Sequence, residues 1–358
     1  MGMRKIFIHT YYDSITVENL LYAWEHFRRD KKSKTDVQEF ERDLMQNIIA
    51  LYNDLKNKTY THGNYSHFII TDPKKRDIHK ATVRDRIIHH LLYNHLYEFF
   101  NKTFIADSYS CRIGKGTHKA INRFKEFSRK CSRNNTKTCW VLKCDIRKFF
   151  ASIDHGILKQ ILRSHIDDSD TIGLLENIVD SFCTPAVIPA KAGILKNTNT
   201  WIPDQVRHDT TKYTNNTTGL PLGNLTSQLL VNIYMNKFDR FVKHQLKQRY
   251  YIRYADDFVF LSENKNELKE LLPRVRKFLW ESLRLELHPE KVFIKTGASG
   301  VDFLGWIHFT DHRVLRTSTK RRMIRNIKGS QKPESLASYI GILKHGNTYR
   351  LQGKIKIY

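Results

Sequence analysis

The chain has 358 residues, with 61 Lys and Arg against 36 Asp and Glu, a net charge of +25 and a pI near 9.8. Its five cysteines include no CxxC pair, which argues against a disulfide framework or a zinc ribbon, and no run of about 18 apolar residues is present to cross a membrane. That length accommodates two or three domains with a sizeable core. A basic excess of this size favours a polyanionic partner, through phosphate contacts and counterion release. The 12% aromatic content adds side chains on which bases can stack. Free thiols, and no apolar stretch of signal-peptide length at the N-terminus, set the expectation of a cytoplasmic protein with no membrane partner.

Residues 14–57 read as helices. Leu20, Leu21, Trp24 and Phe27 fall at helical spacing, as do Phe40, Leu44, Ile48, Leu51 and Leu55. Between them Arg28–Lys34 is a basic linker, by itself a solvated loop and, with a nucleic acid nearby, a template contact. His67–Ile70 reads as a strand, and Asp72-Pro73 turns the chain into Lys74, Lys75 and Arg76. Val83 opens a helix carrying Arg84, with Ile87, Ile88, Leu91, Leu92, Leu96 and Phe99 apolar and Asp85 suited to the N-terminal dipole. His89 and His90 read as helix-face residues, because no carboxylate sits at metal-ligand spacing from them. Ser108–Ala120 holds Arg112, Gly114, Lys115 and Gly116, a loop suited to a phosphate backbone but lacking P-loop spacing.

Trp140–Asp145 is a β-rich run that ends on a carboxylate, followed by Ile146, Phe149, Phe150 and a helical segment for which Asp154 is a candidate cap. Pro185, Pro189 and Pro203, with an Asn/Thr-rich run, mark 186–217 as an inserted surface loop, tolerable because long loops cost little extra closure entropy. Gly219–Gln228 leads into a long helix through Leu229, Ile233, Phe238, Phe241 and Leu246, with Asn224 or Thr226 as its cap. Tyr251–Leu261 puts Asp256 and Asp257 between two apolar runs, which reads as strand, Asp-Asp turn, strand. A surface turn explains adjacent aspartates cheaply. A divalent cation explains them better between strands that look buried, since hard cations take carboxylate oxygens. Asn266–Leu283 reads as a helix, and residues 313–358 as a basic segment with Lys320 and Arg321.

Tyr254-Ala255-Asp256-Asp257 resembles the YxDD box of reverse transcriptases, and Trp140–Phe150 resembles that family's motif A. Lys74–Leu92, Ser108–Ala120, Gly219–Gln228, Leu285–Ile294 and Val301–Trp306 resemble further blocks of the group II intron-like lineage, in family order. The resemblance implies an α/β (α+β) right-hand polymerase with a helical extension over 1–60, fingers and palm over 61–310 and a small helical thumb over 311–358. It implies Asp145, Asp256 and Asp257 as catalytic residues holding two Mg²⁺, with Mn²⁺ as the alternative ion and the Ile146 carbonyl beside them. Lys74, Arg76, Phe149, Phe150, Leu222, Gly223, Gln228 and Lys291 would form the nucleotide site. Arg76 would grip the triphosphate, and Phe150 would clash with a 2′-hydroxyl and so favour dNTPs. Lys291 would protonate or neutralise pyrophosphate, with a structural salt bridge as the equal reading. Arg84, Arg112, Lys115, Tyr254, Lys320 and Arg321 would contact an RNA template and a DNA or RNA primer.

Leu222 and Gln228 stand where most relatives have Gln and Pro, and this variant resembles the reverse transcriptases of diversity-generating retroelements. That resemblance implies error-prone copying opposite adenine and a small basic accessory protein as partner. The wording of 186–217 resembles translated palindromic repeat elements of bacterial genomes, which leaves open a copy damaged by insertion. Other open readings are a retron or phage-defence reverse transcriptase, an inactivated polymerase-like RNA-binding protein, and an RNA-dependent RNA polymerase, against which Phe150 weighs.

Overall fold

The computed structural model describes residues 6–71, 74–184, 217–329 and 333–355. The Asp72-Pro73 turn and, apart from Thr217, the expected inserted loop lie outside the described residues.

The N-terminal third is helical: α1 (Tyr11–Ser14), α2 (Val17–Arg28), α3 (Thr35–Arg42) and α4 (Leu44–Lys56). In α2 the spacing of Leu20, Ala23, Trp24 and Phe27 puts all four on one face, and all four are buried. They pack with Ile48, Leu51 and Leu55 of α4 in the same cluster as the later core, so no break in packing occurs at residue 60. An antiparallel ribbon follows, β1 (Ser66–Ile70) and β2 (Arg76–Lys80), with Ile70 opposite Arg76. Then come α5 (Val83–Asn101) and α6 (Thr117–Cys131). Asp85 proves to be more than a dipole partner. It is fully buried and accepts from Tyr60 Oη (2.9 Å), Thr82 Oγ1 (2.6 Å) and Gly63 N (3.2 Å). His89 is also buried, its ring stacked on His62, and burial pushes its pKa down to about 3, so it is a neutral core imidazole.

The centre is a four-stranded antiparallel sheet built from β3 (Trp140–Asp145), β4 (Tyr251–Tyr254), β5 (Asp257–Ser262) and β6 (Phe293–Thr296) in the order β4-β5-β3-β6. Period-two alternation sorts its side chains. Leu142, Cys144, Phe258 and Phe260 face one core cluster, while Val141, Val259 and Leu261 face the other. The first cluster contains α7 (His155–Arg163), α8 (Ser169–Asp180), α9 (Leu225–Arg240) and α10 (Lys265–Leu283). Asp154 caps α7 by accepting from Ile157 N at 2.9 Å, as its sequence position suggests. Helix α9 is buried on nearly every side and passes into a π-turn at Phe241–Gln245. Asn224 occupies its N-cap position without a side-chain cap bond, and its amide nitrogen donates to His79 O at 3.3 Å.

The second cluster joins α6 to a three-stranded antiparallel sheet, β7 (Val301–Phe303), β8 (Trp306–His308) and β9 (Arg313–Leu315). The expected division at 310/311 falls inside this sheet, because β9 pairs with β8 through Leu315 opposite Trp306. Only after Leu315 do the C-terminal helices begin: α11 (Thr317–Gly329), α12 (Pro333–Leu343) and α13 (Tyr349–Ile355). Met323, Ile327, Leu343 and Leu351 gather on Trp306, a small core of its own.

Candidate active site

Tyr254 pairs with Asp257 across the β4–β5 hairpin, so the connecting loop is Ala255 and Asp256 alone. The expected Asp-Asp turn is therefore divided: Asp256 lies in the loop and Asp257 is the first residue of β5. Ala255 has φ 55°. Tight hairpin loops need this left-handed region, and non-glycine residues enter it at a cost of about 1–2 kcal/mol. Arg253 holds the loop from beneath. Fully buried, it donates to Asp239 Oδ1 (2.8 Å) and Oδ2 (2.7 Å), to Ser108 Oγ (3.1 Å) and to Ala255 O (3.2 Å). Tyr251 Oη donates to the same Asp239 at 2.8 Å. The sequence reading missed this hub, though an arginine inside an otherwise apolar strand is its signal.

Register brings the carboxylates together. Asp145 ends β3 directly opposite Asp257, and Ile146 N donates to Asp256 O at 3.1 Å. Like charges directly opposite in a sheet repel. Burial, followed by the Asp145 charge, raises the pKa of Asp256. Burial also pushes Asp257 up to about 7, with Asp256 and Asp145 adding and Lys143 opposing. Two lysines answer these charges: Lys143 Nζ lies 3.1 Å from Asp257 Oδ1, and Lys291 Nζ lies 3.0 Å from Asp145 Oδ1. The first contact is the buried Asp257 Oδ1's partner, and no other protein group donates to that oxygen among the described residues. Among the described residues no three His, Cys, Asp or Glu side chains converge as a ready-made metal cluster. The donor chemistry nevertheless fits a hard divalent cation, with three acidic side chains at one sheet end and a buried carboxylate oxygen, Asp257 Oδ1, whose partner is an ammonium alone. Lys143 is a second residue the sequence reading passed over; its signal is its place two residues before Asp145, on the same strand face.

The nucleotide-site candidates are linked by backbone hydrogen bonds. Leu220 N donates to Phe150 O at 2.8 Å, and His79 N of β2 donates to Leu222 O at 3.2 Å. Gly223, at φ 113°, lies so close to β2 that a Cβ there would meet Ile78 Cγ2 at 3.0 Å. Phe149 is buried beneath Phe150, their rings edge to face at 5.6 Å. Lys74 and Arg76 are exposed and make no ion pair among the described residues. Gln228 sits in the first turn of α9, its carbonyl accepting from Asn232 Nδ2 at 3.2 Å.

The nucleic-acid candidates divide. Lys320 and Arg321 are exposed on α11. Arg84 is paired with Asp54 and lies over the Tyr60 ring. Arg112 donates to Asn101 Oδ1 (2.8 Å), Ile105 O (2.7 Å) and Ser108 O (2.9 Å), which turns its fork inward to shape the loop. Lys115 Nζ reaches Ala106 O at 2.8 Å, and Tyr254 Oη accepts from Thr117 Oγ1 at 3.1 Å.

Residues 71–308 match the reverse transcriptase (RNA-dependent DNA polymerase) family, and the chain belongs to it. It is 24% identical over 279 residues to Protein YkfC of Escherichia coli, covering 69% of this chain and 65% of that protein. It is 23% identical over 311 residues to the group II intron-encoded protein LtrA of Lactococcus lactis, covering 70% and 46%. Against the putative COX1/OXI3 intron 2 protein of Saccharomyces cerevisiae it is 21% identical over 301 residues, covering 69% and 31%. The chain thus spans 31% to 65% of the length of these curated relatives. Among solved structures, the apo telomerase of Candida tropicalis truncated from its C-terminal domain aligns with a TM-score of 0.49 at 13% identity, over 76% of this chain and 60% of that one.

Proposed function

We propose that the chain is an RNA-directed DNA polymerase that extends a primer 3′-hydroxyl with dNTPs on an RNA template. The observation that carries this reading is the strand register that sets Asp145 against Asp257 and ties Ile146 to Asp256. Asp145, Asp256 and Asp257, with the Ile146 carbonyl, would hold Mg²⁺ or Mn²⁺. When bound, such ions lower the cost of ionising the attacking hydroxyl and of releasing pyrophosphate. The chain's own residues supply position and charge. Arg76 and Lys74 present exposed cations to the triphosphate, from a ribbon docked on Leu222 and Gly223. Phe150, braced on Phe149, closes the space a 2′-hydroxyl would need. Lys291, half exposed, has a flexible ammonium that can leave Asp145 to place its proton near the leaving phosphate. Lys320 and Arg321 on α11 hold a duplex by its backbone.

The Leu222 and Gln228 substitutions favour a diversity-generating retroelement as the setting, with a small basic accessory protein as partner. Primer extension on an RNA template with Mg²⁺ tests both levels, comparing dNTPs with rNTPs for the wild type and Asp256→Asn. The expected result is DNA synthesis lost in a variant whose circular dichroism is unchanged. Normal synthesis by folded Asp256→Asn would overturn the assignment. Misincorporation concentrated opposite adenine supports the retroelement setting, and faithful copying of adenine points instead to another group II-like bacterial enzyme.

A further inference from the structure

Lys143 is the one lysine of the central sheet buried among the carboxylates, only 7% exposed. Its place follows from the pleat. Residues 141, 143 and 145 of β3 share a face, as do 257, 259 and 261 of β5. Lys143 stands opposite Val259, so its diagonal neighbour is Asp257, within reach of a long side chain. Val141 and Val259 give the ammonium no reason to be there; what holds it is the charge it faces at 3.1 Å and, more weakly, the face of the Phe293 ring at 6.0 Å. Lys291 differs. It is 42% exposed, approaches Asp145 from the segment before β6, and can swing into solvent.

We propose that Lys143 is a built-in counter-cation of the carboxylate site, which balances its charge when no divalent ion is bound and competes with that ion for Asp257. The proposal rests on the polymerase reading and deepens it, making Lys143 a positioning residue and not a catalytic one. Its physical basis is that a buried carboxylate needs a cation, and that lysine and a metal ion are alternative cations for the same oxygen atoms. A fixed ammonium beside the site also weakens metal binding by repulsion, so that the ion is held firmly only when further anionic ligands, such as a triphosphate, arrive with it.

The test is thermal unfolding in EDTA and across a titration of Mg²⁺ or of non-catalytic Ca²⁺, for the wild type, Lys143→Met, Lys143→Gln and Lys143→Arg. The expected result is that Lys143→Met and Lys143→Gln melt lower in EDTA. They should gain more than the wild type on adding metal, and reach half of that gain at about tenfold lower metal concentration, with Lys143→Arg behaving as the wild type. Variants that fold only with metal present would give the same answer. An equal metal response in all four proteins would overturn the proposal, and so would neutral variants that fail to fold even at saturating metal. Primer extension by the wild type separates the two levels: if it is active while the metal responses are equal, the counter-cation idea fails and the polymerase reading stands.

Discussion

Arg253 and Asp239 form a charge pair with no exposure at all, and its energetics are lopsided. Replacing one partner strands the other in the core, at a cost of about 3–5 kcal/mol, while replacing both with apolar residues of similar volume is often close to neutral. Arg253→Met is therefore expected to lose stability in that range and Arg253→Met/Asp239→Leu to regain only part of it, because the buried Tyr251 Oη then lacks its acceptor, as denaturant unfolding would show. Activity should separate from stability. The double variant still lacks the bond from Arg253 to Ala255 O, so synthesis should remain depressed after stability has partly recovered. An active double variant would mean that the hub contributes to folding alone. At this scale the sequence was legible where chemistry is local. Asp145, Asp256 and Asp257 stood out, and Asp154 read correctly as a cap. Lys143, Arg253 and Asp239 did not stand out, because their meaning lies in partners on other strands and helices.

Among the elements, the β1–β2 ribbon meets the rest of the chain through the contacts of His79 and Ile78 with Leu222–Asn224, the His79 ring against Phe182 and the Lys80–Asp36 ion pair. Gly223 makes that approach possible, with a left-handed φ of 113° and no side chain to meet Ile78. Gly223→Ala should cost about 1–3 kcal/mol through the strained backbone and push the ribbon outward. Hydrogen exchange at the His79 amide is the direct readout, and unchanged protection there would show that the ribbon is held by other means. The strands and helices themselves were largely legible, because α2, α4, α5 and α10 show 3.6-residue spacing and β3 and β5 are short, mostly apolar runs buried along their length. The β7–β9 sheet was not, since its strands are three residues each, too short to show a period, and its pairing depends on a turn through 309–312. Asn224 takes the N-cap position read for it, but its side-chain partner was missed for a related reason: that partner, His79, is far away in sequence.

For the whole molecule, a net charge of +25 predicts nucleic-acid binding that weakens steeply with salt. Each phosphate contact on a duplex contributes about 0.9 to the slope of log affinity against log salt. Lys320→Ala/Arg321→Ala should lower that slope by roughly 2 without altering sequence preference, measured by fluorescence anisotropy; an unchanged slope would remove α11 from the binding surface. The core cluster that runs from α2 to α10 explains why the limit read from sequence at residue 60 does not appear as a break in packing, whereas the C-terminal helices do gather on a separate small core, beginning after Leu315. Composition shifts mark where a chain changes character, not where its side chains stop touching. One seam joins parts of the chain that are far apart in sequence: Thr184 N donates to Thr218 O at 2.9 Å. Asp145 lies before that seam, and Asp256 and Asp257 lie after it. The gene could therefore be divided there into two messages whose products assemble through the β3–β5 ladder and the contacts of α5 with α9. Each half would carry an incomplete set of acids, so catalysis would report the meeting of the halves.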